Sequence, residues 1–231
     1  MKLEGVTGTC TRHWERGAAA LIGISPFNSY FSAERIRSIL EFCERDERPV
    51  ALFIPDDVTR FTLQARGYTP AQAIRKTQRQ TRYLYNKIER AAGDRDLKIF
   101  GCQSLEVNPA YVKHHTALCQ AFETDQPFRQ GCLDTTHWVL AASENEPVST
   151  QAALLGVRYL LAELPLFLHA PEILGEKAVV FIYHQCPDFI AALYRNPERT
   201  RISPGQGFGV LQSLVDDQAK HHDAALASSA V

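Results

Sequence analysis

Apolar runs of strand length alternate along this chain with amphipathic segments of helix length. The apolar runs predict strands at 18–24, 49–54, 97–101, 178–184 and 207–214. A helix between two strands returns the chain to the same end of the sheet, so this alternation is typical of a parallel α/β sheet. The 231 residues, 45% of them hydrophobic, suffice for one such domain and its core. We therefore predict a single α/β domain over 1–231, with a mostly parallel sheet flanked by helices.

Periodicity and capping residues predict the helices. The first is indicated by the apolar stripe Ile36, Ile39, Leu40 and Cys43. Asp56 and Asp57 are expected to cap a helix that stops at Gly67, and Thr69 to cap a long helix that runs to Gly93. Further helices are predicted at 108–122, at 127–142, and from near Ser149 to just before Pro165. The polar, alanine-rich residues 216–231 are expected to fray.

Charge and cysteine content narrow the classes of function. The formal net charge is −1, so no global field attracts nucleic acid or a membrane surface, and we expect neither DNA nor a membrane as a partner. No membrane span and no secretory leader are predicted. The six cysteines include no Cys-x-x-Cys pair, which is typical of reduced thiols in the cytoplasm. Cys10-x-x-His13 has no second pair of ligands, so no metal site is predicted.

A serine lies at the end of the first strand run. Gly23-Ile24-Ser25 closes that run, and the next helix is expected to open near Ser32. In a parallel sheet ligands bind at this edge, where the N–H groups of a helix start also point. A serine in such a place is more often a turn former or a helix cap than a nucleophile. Ser25 alone therefore indicates a place for chemistry and no specific reaction.

Further polar residues are expected at the same edge. Tyr159 and Glu163 are four residues apart and share one helix face, and Tyr183 lies near the end of the 178–184 strand. Such a helix pair is usually solvated, and a strand-end tyrosine usually has its hydroxyl in water. The neighbours of Glu163 are apolar, however, so its carboxylate needs a cationic or hydrogen-bonding partner to stay ionised. These residues are therefore candidates for one site together with Ser25.

Taken together, these segments resemble the tRNA-dependent cyclodipeptide synthases over about residues 18–215. The stretches that carry the resemblance are Ala20-Leu21-Ile22-Gly23-Ile24-Ser25, Asn28-Ser29-Tyr30-Phe31, Tyr159-Leu160-Leu161-Ala162-Glu163, Pro165-Leu166-Phe167 and Tyr183-His184. The resemblance implies a Rossmann-like fold similar to the catalytic domains of class I aminoacyl-tRNA synthetases. It also implies an aminoacyltransferase that makes a cyclic dipeptide, a secondary metabolite, from two aminoacyl-tRNAs without ATP, metal or other cofactor.

The resemblance assigns a role to each residue of the candidate site. Ser25 would carry first an aminoacyl group and then a dipeptide as esters, in a ping-pong reaction. Asn28, Tyr159 and Glu163 would hold the aminoacyl group, with Glu163 facing its α-ammonium. Tyr183 would position the second substrate and assist ring closure. Because an aminoacyl-tRNA is already an activated ester, a serine without a strong base agrees with this chemistry.

The resemblance also implies a pocket for the first side chain, with Gly23 leaving room beside the serine. The lining would comprise Leu21, Gly23, Phe53, Cys102, Leu166, Phe167 and Phe181. This wall is apolar and two of its members are bulky, so we expect an uncharged first amino acid. His184 is counted with the substrate-binding residues. Its position after Tyr183, where other members have proline, agrees with the Asn/Tyr branch of the family, as does Asn28.

The long predicted helix supplies the cations that tRNA binding requires. These are Arg75, Lys76, Arg79, Arg82, Lys87 and Arg90. Arg75, Arg79 and Arg82 are spaced i, i+4, i+7 and share one face, although an ordinary solvated helix has such residues too. With the resemblance we expect this helix to bind tRNA, in an enzyme that is a monomer.

Two alternatives remain open. A serine hydrolase would need a Gly-x-Ser-x-Gly elbow, but Phe27 occupies the fifth position, and its triad would have to recruit His184 and Asp56 or Asp57. A non-catalytic Rossmann-like binding module is the other alternative. No Gly-x-Gly-x-x-Gly follows the first strand, which disfavours a dinucleotide cofactor. The ATP-binding signatures of a true aminoacyl-tRNA synthetase are also absent from the sequence.

Overall fold

The computed structural model describes residues 1–141, 148–197 and 202–212, so the predicted tail at 216–231 lies outside the described residues. The elements in chain order are β1 (Lys2–Gly5), α1 (Gly8–Glu15), β2 (Ala19–Gly23), α2 (Ala33–Glu44), β3 (Val50–Ile54), α3 (Thr59–Ala65), α4 (Pro70–Ala92), β4 (Lys98–Gly101), α5 (Cys102–Leu105), α6 (Pro109–Thr124), α7 (Gln126–Ala141), α8 (Thr150–Leu174), β5 (Val179–Tyr183), α9 (Asp188–Arg195) and β6 (Gln206–Gln212).

The strands form one sheet in the order β1-β6-β5-β2-β3-β4. The pairs within β6-β5-β2-β3-β4 are parallel, and β1 alone is antiparallel, at the edge beside β6. The predicted α/β fold with a mostly parallel sheet is therefore confirmed. β2 is central, with Leu21 opposite Ala51 of β3 and Phe181 of β5, and its five residues are all buried. The carboxyl ends of β2, β3 and β5 consequently meet at one edge.

Alternate residues of the central strands pack against different helical layers. Leu21 and Phe181 belong to one core cluster, together with apolar residues of α6, α7 and α8. Ile22 and Ile182 belong to the other cluster, with residues of α2 and α4. Because side chains of a strand alternate between faces, both faces of the sheet are covered by apolar helix surfaces.

Two predicted helix caps have different outcomes. The Thr69 cap of α4 is confirmed, since its hydroxyl accepts from the Gln72 N–H and the Gln72 side chain accepts from the Thr69 N–H in return. The Asp56 and Asp57 cap of α3 is wrong, because α3 is preceded by Val58 and has no side-chain cap. The Asp56 carboxylate accepts instead from the backbone N–H groups of Asp57 and Gln103, which joins this turn to the one after β4.

The helix predicted to end before Pro165 continues to Leu174 as α8. A proline inside a helix removes one backbone hydrogen bond, but residues 160–171 are buried almost throughout and packing retains the helix. The break comes later, at His169, whose φ of −141° and ψ of 21° are not helical. There the Ser203 N–H donates to the Leu168 carbonyl, and Gln206 accepts from the Ala170 N–H. Ser203, which precedes β6, and Gln206, its first residue, thus replace the backbone hydrogen bonds that the helix loses at the kink.

Within the described ranges, α8 is long and apolar enough to cross a membrane by length and composition. The sequence did not predict a helix of this length, because the expected helix ended before Pro165. Of the apolar window of α8, 67% is buried inside the protein, which is typical of a core helix.

Several short elements were not predicted. β1 and α1 precede residue 18, and α5 and α9 have only 4 and 8 residues. β1 is an edge strand whose residues are alternately exposed and half-buried. It forms because it pairs with β6, and its sequence contains no apolar run from which a strand could be predicted.

A network of polar side chains connects the α8 kink to α6 and to Ser203, which precedes β6. The His169 Nδ1 and Ser203 Oγ atoms are 2.9 Å apart, and His114 Nε2 lies 2.9 Å from a Glu172 carboxylate oxygen. His114, His169 and Glu172 bring ligand atoms within 4.8 Å of one another. The two rings are stacked 3.8 Å apart and almost parallel, however. Ring nitrogen lone pairs lie in the ring plane, so these imidazoles cannot point at one shared ion.

Acid should destabilise the protein through this network. Burial lowers the pKa of His169 to about 4 from 6.5, so between these values the unfolded chain binds a proton that the folded chain does not. The free energy of unfolding should therefore fall as the pH drops through that window, by about 2 kcal/mol for this group. Urea unfolding at several pH values in this window measures the effect. In His169→Asn, whose amide replaces Nδ1, the free energy of unfolding should change less with pH than in the unsubstituted protein. The same change with pH in both proteins would exclude His169 as the cause.

Candidate active site

Ser25 lies two residues beyond the end of β2, in a tight turn toward α2. The Ile24 N–H still donates to the Phe53 carbonyl of the neighbouring strand, at 2.9 Å, so the strand geometry persists to the residue before the serine. Phe27 then adopts a φ of +63°, which turns the chain sharply. Ser32 caps α2, as predicted. The serine is therefore held at the carboxyl edge of the sheet by the central strand on one side and a tight turn on the other.

The Ser25 hydroxyl is surrounded by other hydroxyl groups. The Tyr183 hydroxyl donates to Ser25 Oγ at 2.8 Å, and the Tyr159 hydroxyl lies 3.4 Å from the same atom. The Asn28 amide donates in turn to the Tyr183 hydroxyl at 3.4 Å. Four of the residues predicted to share a site, Ser25, Asn28, Tyr159 and Tyr183, are thus brought together from three separate segments of the chain.

His184 orients the Asn28 amide. Asn28 Nδ2 lies 2.8 Å from His184 Nε2, and Asn28 Oδ1 accepts from the Tyr30 N–H at 2.9 Å. Burial lowers the pKa of His184 to about 4, so at neutral pH the ring is uncharged and Nε2 can accept from Nδ2. The Tyr30 ring stacks on the imidazole at 4.6 Å and fixes its plane. His184 therefore acts on the serine only through Asn28 and Tyr183.

Glu163 lies one helical turn beyond Tyr159 on α8. Burial raises its pKa to about 8, and a hydrogen bond with the Tyr159 side chain opposes part of that rise. Glu163 is half-buried and lines the cavity described below. Burial also raises the pKa of Tyr183 to about 12. At neutral pH both tyrosine hydroxyls are protonated and Glu163 is poised to release a proton when a cation binds beside it.

These groups face a cavity of about 530 Å³. One wall is the strand edge, with Ser25, Phe181 and Tyr183, and the opposite wall is built from α3, α7 and α8. Of this second wall, the sequence predicted the α8 residues Tyr159 and Glu163 but not the α3 and α7 side. That side includes Arg66 and Trp138, and neither residue belongs to a local motif. The cavity extends well beyond the serine and has space for a substrate of several groups.

The predicted first pocket is only partly present at this cavity. Gly23, Phe167 and Phe181 line it, but the other predicted residues, Leu21, Phe53, Cys102 and Leu166, do not and are at most 1% exposed in the core. The structure also contradicts the prediction that Gly23 leaves room for the substrate beside the serine. A Cβ atom there would lie 2.6 Å from the Phe181 ring, so this ring occupies the room that the glycine leaves. The Phe53 ring packs edge-on behind it, 6.4 Å between centroids.

The predicted cations of α4 divide into two groups. Lys76 donates to the Tyr68 hydroxyl at 2.6 Å, and Lys87 donates to the Phe31 carbonyl at 3.2 Å. The exposed members are Arg75, Arg79, Arg82 and Arg90. Arg75, Arg79 and Arg82 form one row with no ion pair to any described residue. This row is the part of the helix that is free to meet a polyanion.

The geometry does not form a hydrolase triad at Ser25. The partner of His184 Nε2 is Asn28, and the hydrogen bonds of the serine are with tyrosines. Asp56 accepts from backbone N–H groups near the end of β4. The serine therefore has no general base of the Ser-His-Asp type among the described residues, and a substrate with a good leaving group suits it best.

The sequence matches the profile of the cyclodipeptide synthase family over residues 1–213. A curated relative is the cyclo(L-leucyl-L-leucyl) synthase of Photorhabdus laumondii, 25% identical over 225 residues, which are 92% of this chain and 96% of the relative. The solved cyclodipeptide synthase of Bacillus thermoamylovorans superimposes with a TM-score of 0.86 at 25% identity, covering 92% of this chain and 96% of that one.

A second solved structure connects the fold to a larger group. It is a Mycobacterium tuberculosis protein whose structure demonstrates that cyclodipeptide synthetases are related to type I tRNA synthetases. The TM-score is 0.81 at 27% identity, over 90% of this chain and 91% of that one. With a parallel sheet, a hydroxyl-lined cavity at its carboxyl edge and a profile match over nearly the whole chain, this protein belongs to the cyclodipeptide synthases, peptide-bond-forming enzymes whose substrates are aminoacyl-tRNAs.

Proposed function

We propose that the protein joins two aminoacyl groups into a cyclic dipeptide by a ping-pong mechanism with two successive esters on Ser25. The observation that carries the proposal is the Ser25 hydroxyl within hydrogen-bond reach of Tyr183 and Tyr159, with the half-buried Glu163 one helical turn beyond Tyr159. This arrangement lacks a strong base but offers protonated donors and one carboxyl group. It therefore suits acyl transfer from a substrate that arrives activated.

In the first step Ser25 Oγ attacks the carbonyl carbon of an aminoacyl-tRNA. The Oγ–C bond forms, the bond from that carbon to the ribose oxygen breaks, and the serine proton goes to the ribose hydroxyl. One ester replaces another, so the step needs no ATP. The Tyr183 hydroxyl donates to Oγ and holds it in place, and Tyr159 lies within reach to pass the proton.

In the second step the amino group of the seryl ester attacks the carbonyl of a second aminoacyl-tRNA. A peptide bond forms, the second tRNA leaves and a dipeptidyl ester remains on Ser25. The free amino group of the dipeptide then attacks the seryl ester, which closes the ring and releases the serine. Each attacking amine must lose a proton, and Glu163, with a pKa raised to about 8, is placed to bind the ammonium and accept that proton.

We further assign the enzyme to the Asn/Tyr branch of the family, on Asn28, Tyr183 and His184. The Asn28–His184 contact supports this, because it fixes the amide that donates to Tyr183. We propose that the enzyme works as a monomer in the cytoplasm, where aminoacyl-tRNAs are available, that it needs no cofactor, and that the α4 row holds the tRNA.

The direct test is production of cyclic dipeptides. The protein is expressed in a bacterial host and the medium is analysed by mass spectrometry for diketopiperazines. We expect at least one that is missing from the empty-vector culture and that contains at least one uncharged amino acid. Purified enzyme should also make it from two aminoacyl-tRNAs without ATP. A medium and an in vitro reaction that both lack the product would refute the proposal.

A further inference from the structure

Arg66 carries the positive charge nearest to the substrate space. It is the one arginine or lysine among the described residues that line the cavity of Ser25. Its Nε atom is buried without a hydrogen-bond partner, and no described residue forms an ion pair or hydrogen bond with the guanidinium. Arg60, six residues earlier, is by contrast paired with Asp57. A buried donor without a partner is unfavourable, so the cavity side of Arg66 is suited to an incoming acceptor.

The surroundings of Arg66 connect the cavity to α4. Arg66 follows α3 directly, and two residues later the Tyr68 hydroxyl accepts from Lys76 Nζ at 2.6 Å. Lys76 Nζ also lies 5.9 Å from the ring centroid of Phe27, which lines the same cavity two residues after Ser25. Lys76 therefore places a second positive charge beside a residue that lines the cavity, on the helix that carries the exposed arginine row. A polyanion bound to that helix would come close to the cavity at Lys76.

We propose that Arg66 is a positioning residue that binds the phosphate of the terminal nucleotide of the aminoacyl-tRNA. The inference rests on the proposed function. Every substrate of that reaction has this phosphate next to the nucleoside that bears the reacting ester. A guanidinium holds a phosphate by two parallel hydrogen bonds, which fixes direction as well as distance. Bound in this way, the phosphate orients the ester carbonyl toward Ser25, while Glu163 receives the ammonium at the other end of the aminoacyl group.

The same guanidinium would also attract a side-chain carboxylate of the amino acid, so the experiment separates the two anions. Acylation of Ser25 is measured in single turnover with two radiolabelled leucyl esters, each on a ribose hydroxyl as in aminoacyl-tRNA. One is the ester of adenosine, and the other is the ester of adenosine 5′-monophosphate with its phosphate free. The enzymes are the unsubstituted protein, Arg66→Ala, Arg66→Lys and the control Arg45→Ala, which removes an exposed arginine at the end of α2. Aspartyl esters of both nucleosides form the second arm.

We expect the 5′-phosphate to accelerate acylation of the unsubstituted enzyme about 10- to 100-fold, the range of a charge-assisted pair. Arg66→Ala should lose this acceleration and keep the rate with the adenosine ester, Arg66→Lys should retain part of it, and Arg45→Ala should retain all of it. With intact aminoacyl-tRNA, the salt dependence of kcat/KM should become shallower in Arg66→Ala by about one phosphate contact, a slope of about 0.7.

Equal losses with both leucyl esters, or no loss together with an unchanged salt slope, would overturn the inference. A loss confined to aspartyl esters would assign Arg66 to the side chain of the amino acid and would overturn it too. Each of these results leaves the proposed function standing, because the unsubstituted enzyme is acylated. If intact aminoacyl-tRNA does not acylate the unsubstituted enzyme, the proposed function fails and the role of Arg66 fails with it.

Discussion

Ser25→Ala should abolish cyclic dipeptide formation and leave the fold intact. The hydroxyl is the atom to which Tyr183 donates and from which Tyr159 is 3.4 Å away, and no other described hydroxyl occupies that position. Removing a nucleophile lowers the rate by at least about 10³-fold, because the remaining groups cannot form the covalent intermediate. Product in the medium should fall below detection by mass spectrometry. With radiolabelled aminoacyl-tRNA, no label should remain on the denatured variant.

The matched control is Ser38→Ala, which removes an exposed serine hydroxyl from α2. It should keep both product and covalent label. The thermal midpoints of the two variants should remain near that of the unsubstituted protein. The side chain of Ser25 contacts two tyrosine hydroxyls, and because both tyrosines also line the cavity, water can replace the lost hydrogen bonds. Undiminished product from a well-folded Ser25→Ala protein would refute the proposed esters on Ser25.

Glu163→Gln should lose product and gain stability. The amide cannot take a proton from an ammonium group, so both the binding of the aminoacyl group and the release of its proton are impaired. We expect product formation to fall by at least about 100-fold, the usual effect of removing a general base. The label on Ser25 and the diketopiperazine yield should be measured separately. The proposed order of steps predicts that peptide-bond formation suffers even where some aminoacyl-enzyme still accumulates.

The gain in stability has a defined pH dependence. The pKa of Glu163 is raised from 4.5 to about 8, so between these values the folded protein holds a proton that the unfolded chain has lost. The free energy of unfolding therefore declines as the pH rises through this window and is lowest above it. At pH 8 we expect Glu163→Gln to be more stable by about 1 to 3 kcal/mol, less than full burial implies, because Glu163 is only half-buried and lines a cavity. That corresponds to a rise of about 2 to 10 °C in Tm.

Urea or thermal unfolding at pH 5 and pH 8 measures the effect. The two proteins should be similar at pH 5 and differ at pH 8. Glu41→Gln, which neutralises an exposed carboxylate on α2, is the matched control and should show no such difference. A fully active Glu163→Gln protein would remove Glu163 from the mechanism. A variant that is inactive and also less stable at pH 8 would mean that the carboxylate has a structural partner in the folded protein.

Local patterns predicted most of the architecture correctly. The apolar runs predicted β2, β3 and β5, because a strand buried on both faces is apolar at consecutive positions. The half-buried edge strand β4 was also predicted, from its shorter apolar run. The Thr69-Pro70 start of α4 was readable for a similar reason, since a cap is a contact between residues three apart. The prediction failed at Pro165, where packing of α8 outweighs the local tendency of proline to end a helix.

For the active site, the sequence by itself determined which groups are present and which lie at one edge. It placed Ser25 at the end of a strand and Tyr159 with Glu163 on one helix face, because both follow from the fixed periods of strand and helix. That this strand, β2, is central in the sheet came from the structure. Only the tertiary structure decided that Tyr183, 158 residues away, donates to Ser25, that Phe181 fills the space beside Gly23, and that Arg66 faces the cavity. Those contacts depend on sheet register and on how α3 and α8 pack, and no local spacing in the chain encodes either.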